Sequence, residues 1–104
     1  MANILPLDIL DSRRTSALKL LEESSEACEA IKEHDKTPDY ETYKDAVLEL
    51  ADVAQCLCNC LVTVGVTSED WEDAVLEVRK RNIERGRHEL PCRRTLKVEW
   101  RLDG

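Results

Sequence analysis

The sequence has no phenylalanine, and its 104 residues include only three glycines and three prolines. Glycine and proline interrupt helices, so their scarcity, together with long stretches rich in alanine, leucine, glutamate and lysine, favours helix over residues 1–86. The longest run without a charged side chain is Val53–Ser68, which is shorter than the roughly 20 residues that a membrane span needs. We therefore expect one small all-α protein without a membrane partner.

Charge is distributed unevenly along the chain. The net charge is −7, but residues 1–78 hold 18 acidic and 6 basic side chains, whereas residues 79–104 hold 4 acidic and 9 basic ones. Nonspecific binding of a nucleic acid needs cations that face the phosphates, and an acidic body disfavours it. We expect no nucleic-acid polymer as partner, and we divide the chain into a helical domain, residues 1–86, and a basic tail, residues 87–104.

Cysteine usage is typical of a reducing compartment. The count of five is odd, and Cys56, Cys58 and Cys60 are crowded into one apolar run, which favours buried free thiols over a disulfide scaffold. A zinc knuckle is disfavoured, because on a helix Cys58 points away from its two neighbours. Charged residues near the amino terminus leave no apolar segment for a signal peptide. We expect a cytoplasmic protein.

Apolar spacing and capping residues predict three helices. The first is expected from Pro6 to His34. The second is expected to start at Thr37-Pro38-Asp39, with the Thr37 hydroxyl as its cap, and to reach Val64, with Gly65 ending it in a left-handed conformation. The third is expected over Glu69–Arg85, with a cap in Thr67-Ser68 before it and Gly86 beyond its end. In the tail, Leu96–Trp100 alternates apolar and polar residues and predicts a short strand or an extended arm.

The second helix is apolar around its whole circumference between Leu50 and Val64. Such a helix must be covered on all sides, and two other helices of one short chain can hide only part of it. We therefore expect a four-helix-bundle-type core formed by paired chains, in a homodimer or homotetramer.

Carboxylates are concentrated at helical spacings on the first two helices. The first carries Glu22, Glu23 and Glu26, and the second carries Glu49 and Asp52. A solvated acidic face would explain Glu22 alone, but Asp52 is flanked by aliphatic residues and would have to lie among them. A divalent cation would resolve the repulsion, and hard oxygen ligands suit Mg²⁺ or Mn²⁺. Iron is disfavoured because neither histidine completes a Glu-x-x-His motif.

These residues resemble a known signature. Glu22-Glu23-x-x-Glu26, followed after 22 residues by Glu49-x-x-Asp52, is similar to the EExxE…ExxD pattern of the all-α nucleoside triphosphate pyrophosphohydrolases, the MazG-like group. Lys19-Leu20-Leu21 and Arg81-Asn82-x-x-Arg85-Gly86 extend the similarity, which covers about residues 7–86. The superfamily also includes dimeric dUTPases and phosphoribosyl-ATP pyrophosphohydrolases.

The resemblance implies Mg²⁺-dependent hydrolysis of a nucleoside triphosphate between its α and β phosphates, which releases a monophosphate and pyrophosphate. It implies metal ligation by Glu23, Glu26, Glu49 and Asp52. Glu22 would bind a further metal ion or act as general base toward the attacking water.

Candidate phosphate ligands lie on the third helix and on the first. Arg81, Asn82 and Arg85 share one face of the third helix, and two guanidinium groups there can fork onto phosphate oxygens. Lys19 is a further candidate. Two other functions remain open: hydrolysis of phosphoribosyl-ATP, and a noncatalytic helical dimer that binds metal, a nucleotide or a protein partner.

Overall fold

The computed structural model describes residues 2–7, 12–90 and 94–100. Within these ranges it contains three α-helices and no strand: α1 (Arg13–Lys36), α2 (Tyr40–Val64) and α3 (Ser68–Glu84). The predicted all-α class is confirmed. The chain forms two units, residues 1–65 with α1 and α2, and residues 66–104 with α3. The predicted division at residue 86 stays a prediction.

Helix α1 starts later than the sequence predicted. The start at Pro6 is wrong, because Ser12 caps the helix and its Oγ accepts a hydrogen bond from the backbone N–H of Thr15. Residues 2–7 are not helical, and their backbone is bound by side-chain amides of α2 instead. The N–H of Leu7 donates to Asn59 Oδ1 at 3.0 Å, and Gln55 Nε2 donates to the carbonyl of Leu5 at 2.8 Å.

The turn between α1 and α2 uses different caps from those expected. Thr37 ends α1, and its N–H donates to the carbonyl of Glu33 at 2.9 Å. Asp39 begins α2 by accepting from the N–H of Thr42, and Thr42 Oγ1 accepts from the N–H of Asp39. Assigning the capping hydroxyl to Thr37 was therefore wrong. The predicted end of α2 is confirmed, since Gly65 has a φ of 80°.

Helices α1 and α2 pack as an antiparallel hairpin around a very small core. Among the described residues, the buried side chains are Ser16, Ala27, Ala46 and Leu61. Many large apolar side chains of the two helices are at least half exposed. They include Leu18, Leu21, Leu48, Leu50, Val62 and Val64. Cys56, Cys58 and Cys60 are half-buried and Cys28 is exposed, so the expected complete burial of the thiols is not reached within one chain.

The second unit contains α3 and the carboxyl-terminal arm. Helix α3 lies within one residue of its predicted bounds, with Thr67 as its cap and Gly86 at a φ of 75° beyond its end. Residues 94–100 form no strand, so of the two alternatives for the tail the strand is wrong. Trp100 lies against Trp71, with ring centroids 6.3 Å apart, and its Nε1–H donates to the carbonyl of Val66 at 3.1 Å.

By length and composition alone, α2 could cross a membrane, and it is the one such helix among the described residues. The core helix of a soluble protein meets the same criterion, so this feature is weak evidence for a span. The absence of a membrane partner stays a prediction.

Candidate metal centre

The hairpin brings together the five carboxylates that the sequence singled out. Residues near position 26 of α1 lie opposite residues near position 49 of α2. Two groups of carboxylates result, and within each group the ligand atoms lie within 4.8 Å of one another. The first group contains Glu22, Glu23 and Glu26, and the second contains Glu23, Glu49 and Asp52. Glu23 belongs to both groups, so the two form one continuous cluster, which we call the carboxylate cluster.

Burial differs among the members of the carboxylate cluster. Glu23 and Glu49 are half-buried, and the other three are exposed. The Oε2 atom of Glu49 is buried and has no hydrogen-bond partner. The expectation that Asp52 lies among aliphatic side chains is wrong within one chain. Successive helical residues point about 100° apart, so the apolar neighbours of Asp52 face other directions.

The ionised carboxylates of the carboxylate cluster repel one another when no cation is bound between them. Partial burial raises the pKa of Glu23, and the nearby Glu26 carboxylate raises it further. Burial likewise raises the pKa of Glu49, and the nearby negative charges of Glu26 and Asp52 raise it further. Both carboxyls therefore hold a proton more readily than in water, because their ionised forms are poorly solvated and repelled by like charge. A bound cation would favour the ionised forms.

The positively charged side chain of Lys19 lies at the edge of the carboxylate cluster. Lys19 Nζ is 3.6 Å from Glu22 Oε2, and both side chains are more than half exposed. An exposed ion pair of this kind contributes little to stability, so the contact leaves Lys19 able to exchange Glu22 for a phosphate oxygen. Its predicted role in substrate binding stays a prediction.

The other predicted phosphate ligands belong to the second unit. Arg81 lies on α3 and its Nε donates to Glu77 Oε1 at 3.2 Å. Asn82 is half-buried, and its carbonyl accepts from the N–H of Arg87 at 2.8 Å. Arg85 caps the carboxyl end of α3. The role of these three residues with the carboxylate cluster stays a prediction.

The sequence interpretation missed a groove that adjoins the carboxylate cluster. Its volume is about 410 Å³, and it lies between α1 and α2. Its lining residues are Glu26, Glu29, Ala30, Glu33, Thr42, Asp45, Leu48 and Glu49. Helical spacing could have revealed it, because Glu29 and Glu33 follow Glu26 by one and two turns on the same face.

Comparison of the chain with protein-family models, with curated proteins and with solved structures finds no match.

Proposed function

We propose that this chain is a Mg²⁺-dependent nucleoside triphosphate pyrophosphohydrolase of the MazG-like type, which cleaves between the α and β phosphates. The observation that supports the proposal is the meeting of two sequence elements. Glu22, Glu23 and Glu26 come from one helix, Glu49 and Asp52 come from another, and all join one cluster through Glu23.

The donor set fits a hard divalent cation. All five side chains offer carboxylate oxygens, which Mg²⁺ and Mn²⁺ prefer over softer ligands. Glu49 Oε2 is a buried acceptor without a partner, and a cation would satisfy it. Glu23, Glu26, Glu49 and Asp52 would hold the metal. When bound, Mg²⁺ screens the charge of the triphosphate and polarises the phosphoanhydride that is cut.

Glu22 is the best candidate for the general base. It is exposed, and it belongs to the group on α1 but not to the group that includes α2. A carboxylate that is not fully engaged with metal can accept the proton of an attacking water. Lys19 Nζ lies 3.6 Å from Glu22 Oε2, at the exposed edge of the cluster.

Arg81, Asn82 and Arg85 would bind the phosphates of the substrate. Arginine offers paired donors that match the oxygens of a phosphate group, and the amide of Asn82 adds a donor without charge. Arg81 contacts Glu77 through its Nε atom, so its Nη groups would still be able to donate to a phosphate.

We also propose that the active form is a homodimer or homotetramer with a four-helix core. The large apolar side chains left exposed on α1 and α2 support this proposal. Sedimentation velocity should show a dimer or larger species at micromolar concentration. A folded monomer under these conditions would contradict the proposed core.

We also propose a cytoplasmic location, because the crowded cysteines are typical of a reducing compartment.

Pyrophosphate release provides the direct test of the activity. The full chain would be incubated with Mg²⁺ or EDTA and a panel of canonical and modified nucleoside triphosphates, together with phosphoribosyl-ATP. We expect pyrophosphate with at least one nucleoside triphosphate, and only with the metal present. Glu49→Gln should abolish the release. Glu41→Gln is the matched control. Glu41 lies on the same helix but outside the carboxylate cluster, and it pairs with Lys44 at 3.6 Å.

The alternative functions predict other outcomes of this test. Release from phosphoribosyl-ATP alone would replace the proposed substrate class with that compound. No release from any compound, by a chain that Mg²⁺ nevertheless stabilises, would support the noncatalytic metal-binding dimer instead.

A further inference from the structure

The amino-terminal segment, residues 2–7, is held against α2 through its backbone. The N–H of Leu7 donates to Asn59 Oδ1 at 3.0 Å, and the carbonyl of Leu5 accepts from Gln55 Nε2 at 2.8 Å. The side chains of the two leucines contribute little, because Leu5 is 70% exposed and Leu7 is 55% exposed. The segment therefore stays in place by hydrogen bonding of its backbone rather than by burial of its apolar side chains.

The segment lies on the side of α2 that is opposite α1. Cys60 marks the side that faces α1, since its Sγ donates to the carbonyl of Ser16 at 3.5 Å. Cys58 points about 160° away from Cys60 around the helix, and Gln55 points about 140° away. The Sγ of Cys58 is 4.0 Å from the carbonyl of Ile4. Helix α1 and the amino-terminal segment thus cover opposite sides of α2.

The covered side of α2 carries a row of uncharged residues at alternating spacings of three and four. The row consists of Leu48, Ala51, Gln55, Cys58 and Val62, and we call it the outer row. A mean spacing of 3.5 residues is the one by which a helix packs lengthwise on another in a coiled coil. Leu48 and Val62 are 59% and 60% exposed, and the amino-terminal segment lies over the two positions between them, Gln55 and Cys58.

We propose that the outer row is the surface by which α2 packs against α2 of a second copy of this chain, and that residues 2–7 cover it until the copies pair. The inference rests on the proposed homodimer, and it names the face that pairs and the element that regulates pairing. Two copies of an acidic chain meet with less repulsion along an uncharged row than along the carboxylate cluster.

The cover is displaceable because each of its hydrogen bonds contributes only modestly in water. Displacement frees the amide of Gln55, which lies in the middle of the outer row. A polar residue in the seam between two helices can hydrogen-bond across the seam and fix the register of the pair. Closure of the segment lowers the fraction of chains that are competent to pair, and so weakens the apparent affinity of the dimer.

Replacement of Leu7 by proline in the full chain tests this competition. Proline has no backbone N–H, so the hydrogen bond to Asn59 is lost. The helices should be retained, because α1 begins at Arg13. Leu7→Ala is the matched control, since it loses the same side chain and keeps the N–H. Sedimentation equilibrium should show a dimer dissociation constant lowered roughly fivefold for each segment displaced in Leu7→Pro, and unchanged in Leu7→Ala.

The reactivity of Cys58 reports on the position of the segment. Cys58 is half-buried and lies beside Ile4, whereas Cys28 is exposed and serves as an internal reference. Alkylation would be followed by peptide mass spectrometry at concentrations where the chain is monomeric. We expect the rate at Cys58 relative to Cys28 to rise in Leu7→Pro and to stay at the wild-type value in Leu7→Ala.

Three results would overturn the proposal. A weaker dimer in Leu7→Pro would make the segment part of the interface, and equal dissociation constants in all three chains would show that it does not compete. Unchanged alkylation of Cys58 would show that the hydrogen bond of Leu7 does not hold the segment. Absence of a dimer in every chain would refute the proposed homodimer itself, whereas dimers without pyrophosphate release would refute only the proposed hydrolysis. These failures are therefore distinguishable.

Discussion

Replacement of Glu49 by glutamine tests whether the carboxylate cluster exists to hold metal. Glu49 has a buried, unpartnered Oε2 and belongs to a group whose ligand atoms lie within 4.8 Å of one another. Glutamine keeps the shape of the side chain and removes its charge. Without metal, we expect Glu49→Gln to be at least as stable as the wild type, because the change removes like-charge repulsion.

With metal, the order of stability should reverse. Magnesium at a hundred times its dissociation constant would stabilise the wild-type chain by about 2.7 kcal/mol, through preferential binding to the folded state. For a chain of this size, that gain raises Tm by about 10–20 °C. Loss of one of the few ligands weakens binding by roughly tenfold or more, and a tenfold weaker site retains only about half of the gain.

Thermal unfolding followed by circular dichroism would measure both effects. The wild type, Glu49→Gln and the control Glu41→Gln would be melted in EDTA and across a magnesium titration at pH 7. We expect the Tm of Glu49→Gln to equal or exceed that of the wild type in EDTA and to fall below it as the magnesium concentration rises. The Tm of Glu41→Gln should follow that of the wild type throughout. If Glu49→Gln loses several degrees of Tm in EDTA, Glu49 has a structural role and the argument from repulsion is wrong.

Three further predictions concern the two units. The raised pKa values of Glu23 and Glu49 mean that the folded chain binds more protons than the unfolded chain, so metal-free stability should fall as pH rises above about 4.5. Urea titrations at several pH values check this, and a rise in stability over that window would contradict it. Leu61→Ala should cost about 2–3 kcal/mol in urea unfolding, because Leu61 is the largest buried side chain of the hairpin. Trp100→Ala removes the hydrogen bond to Val66, and limited proteolysis should then cut the tail faster; an unchanged rate would show that the contact does not hold the tail.

Helix class and helix ends were predictable where local chemistry decides them. Gly65 ends α2 and Thr67 starts α3, as expected, because a left-handed glycine and a capping hydroxyl act within a few residues of their own position. The start of α1 was not predictable in the same way. Pro6 and Leu7 fit a helix by local pattern, but Asn59 binds the backbone of Leu7 from a distance of 52 residues in the chain.

The candidate site also combines features that local sequence determines with features that depend on contacts between the helices. Spacing along one helix places Glu22, Glu23 and Glu26 together, and the sequence is sufficient for that. It cannot set which atom of Glu49 loses contact with water, because that depends on how α1 covers α2. The exposure of Asp52 was also missed, since apolar neighbours in sequence are not neighbours in space on a helix.

The sequence by itself determined the all-α class, the order of the three helices and the acidic residues that belong together. Only the tertiary structure decided the register of α1 against α2, which joins two acidic groups through Glu23 and turns Cys60, but not Cys58, toward α1. The reason is physical. Helical periodicity is a property of a segment, whereas the register of a hairpin depends on the turn and on the small side chains buried between its helices.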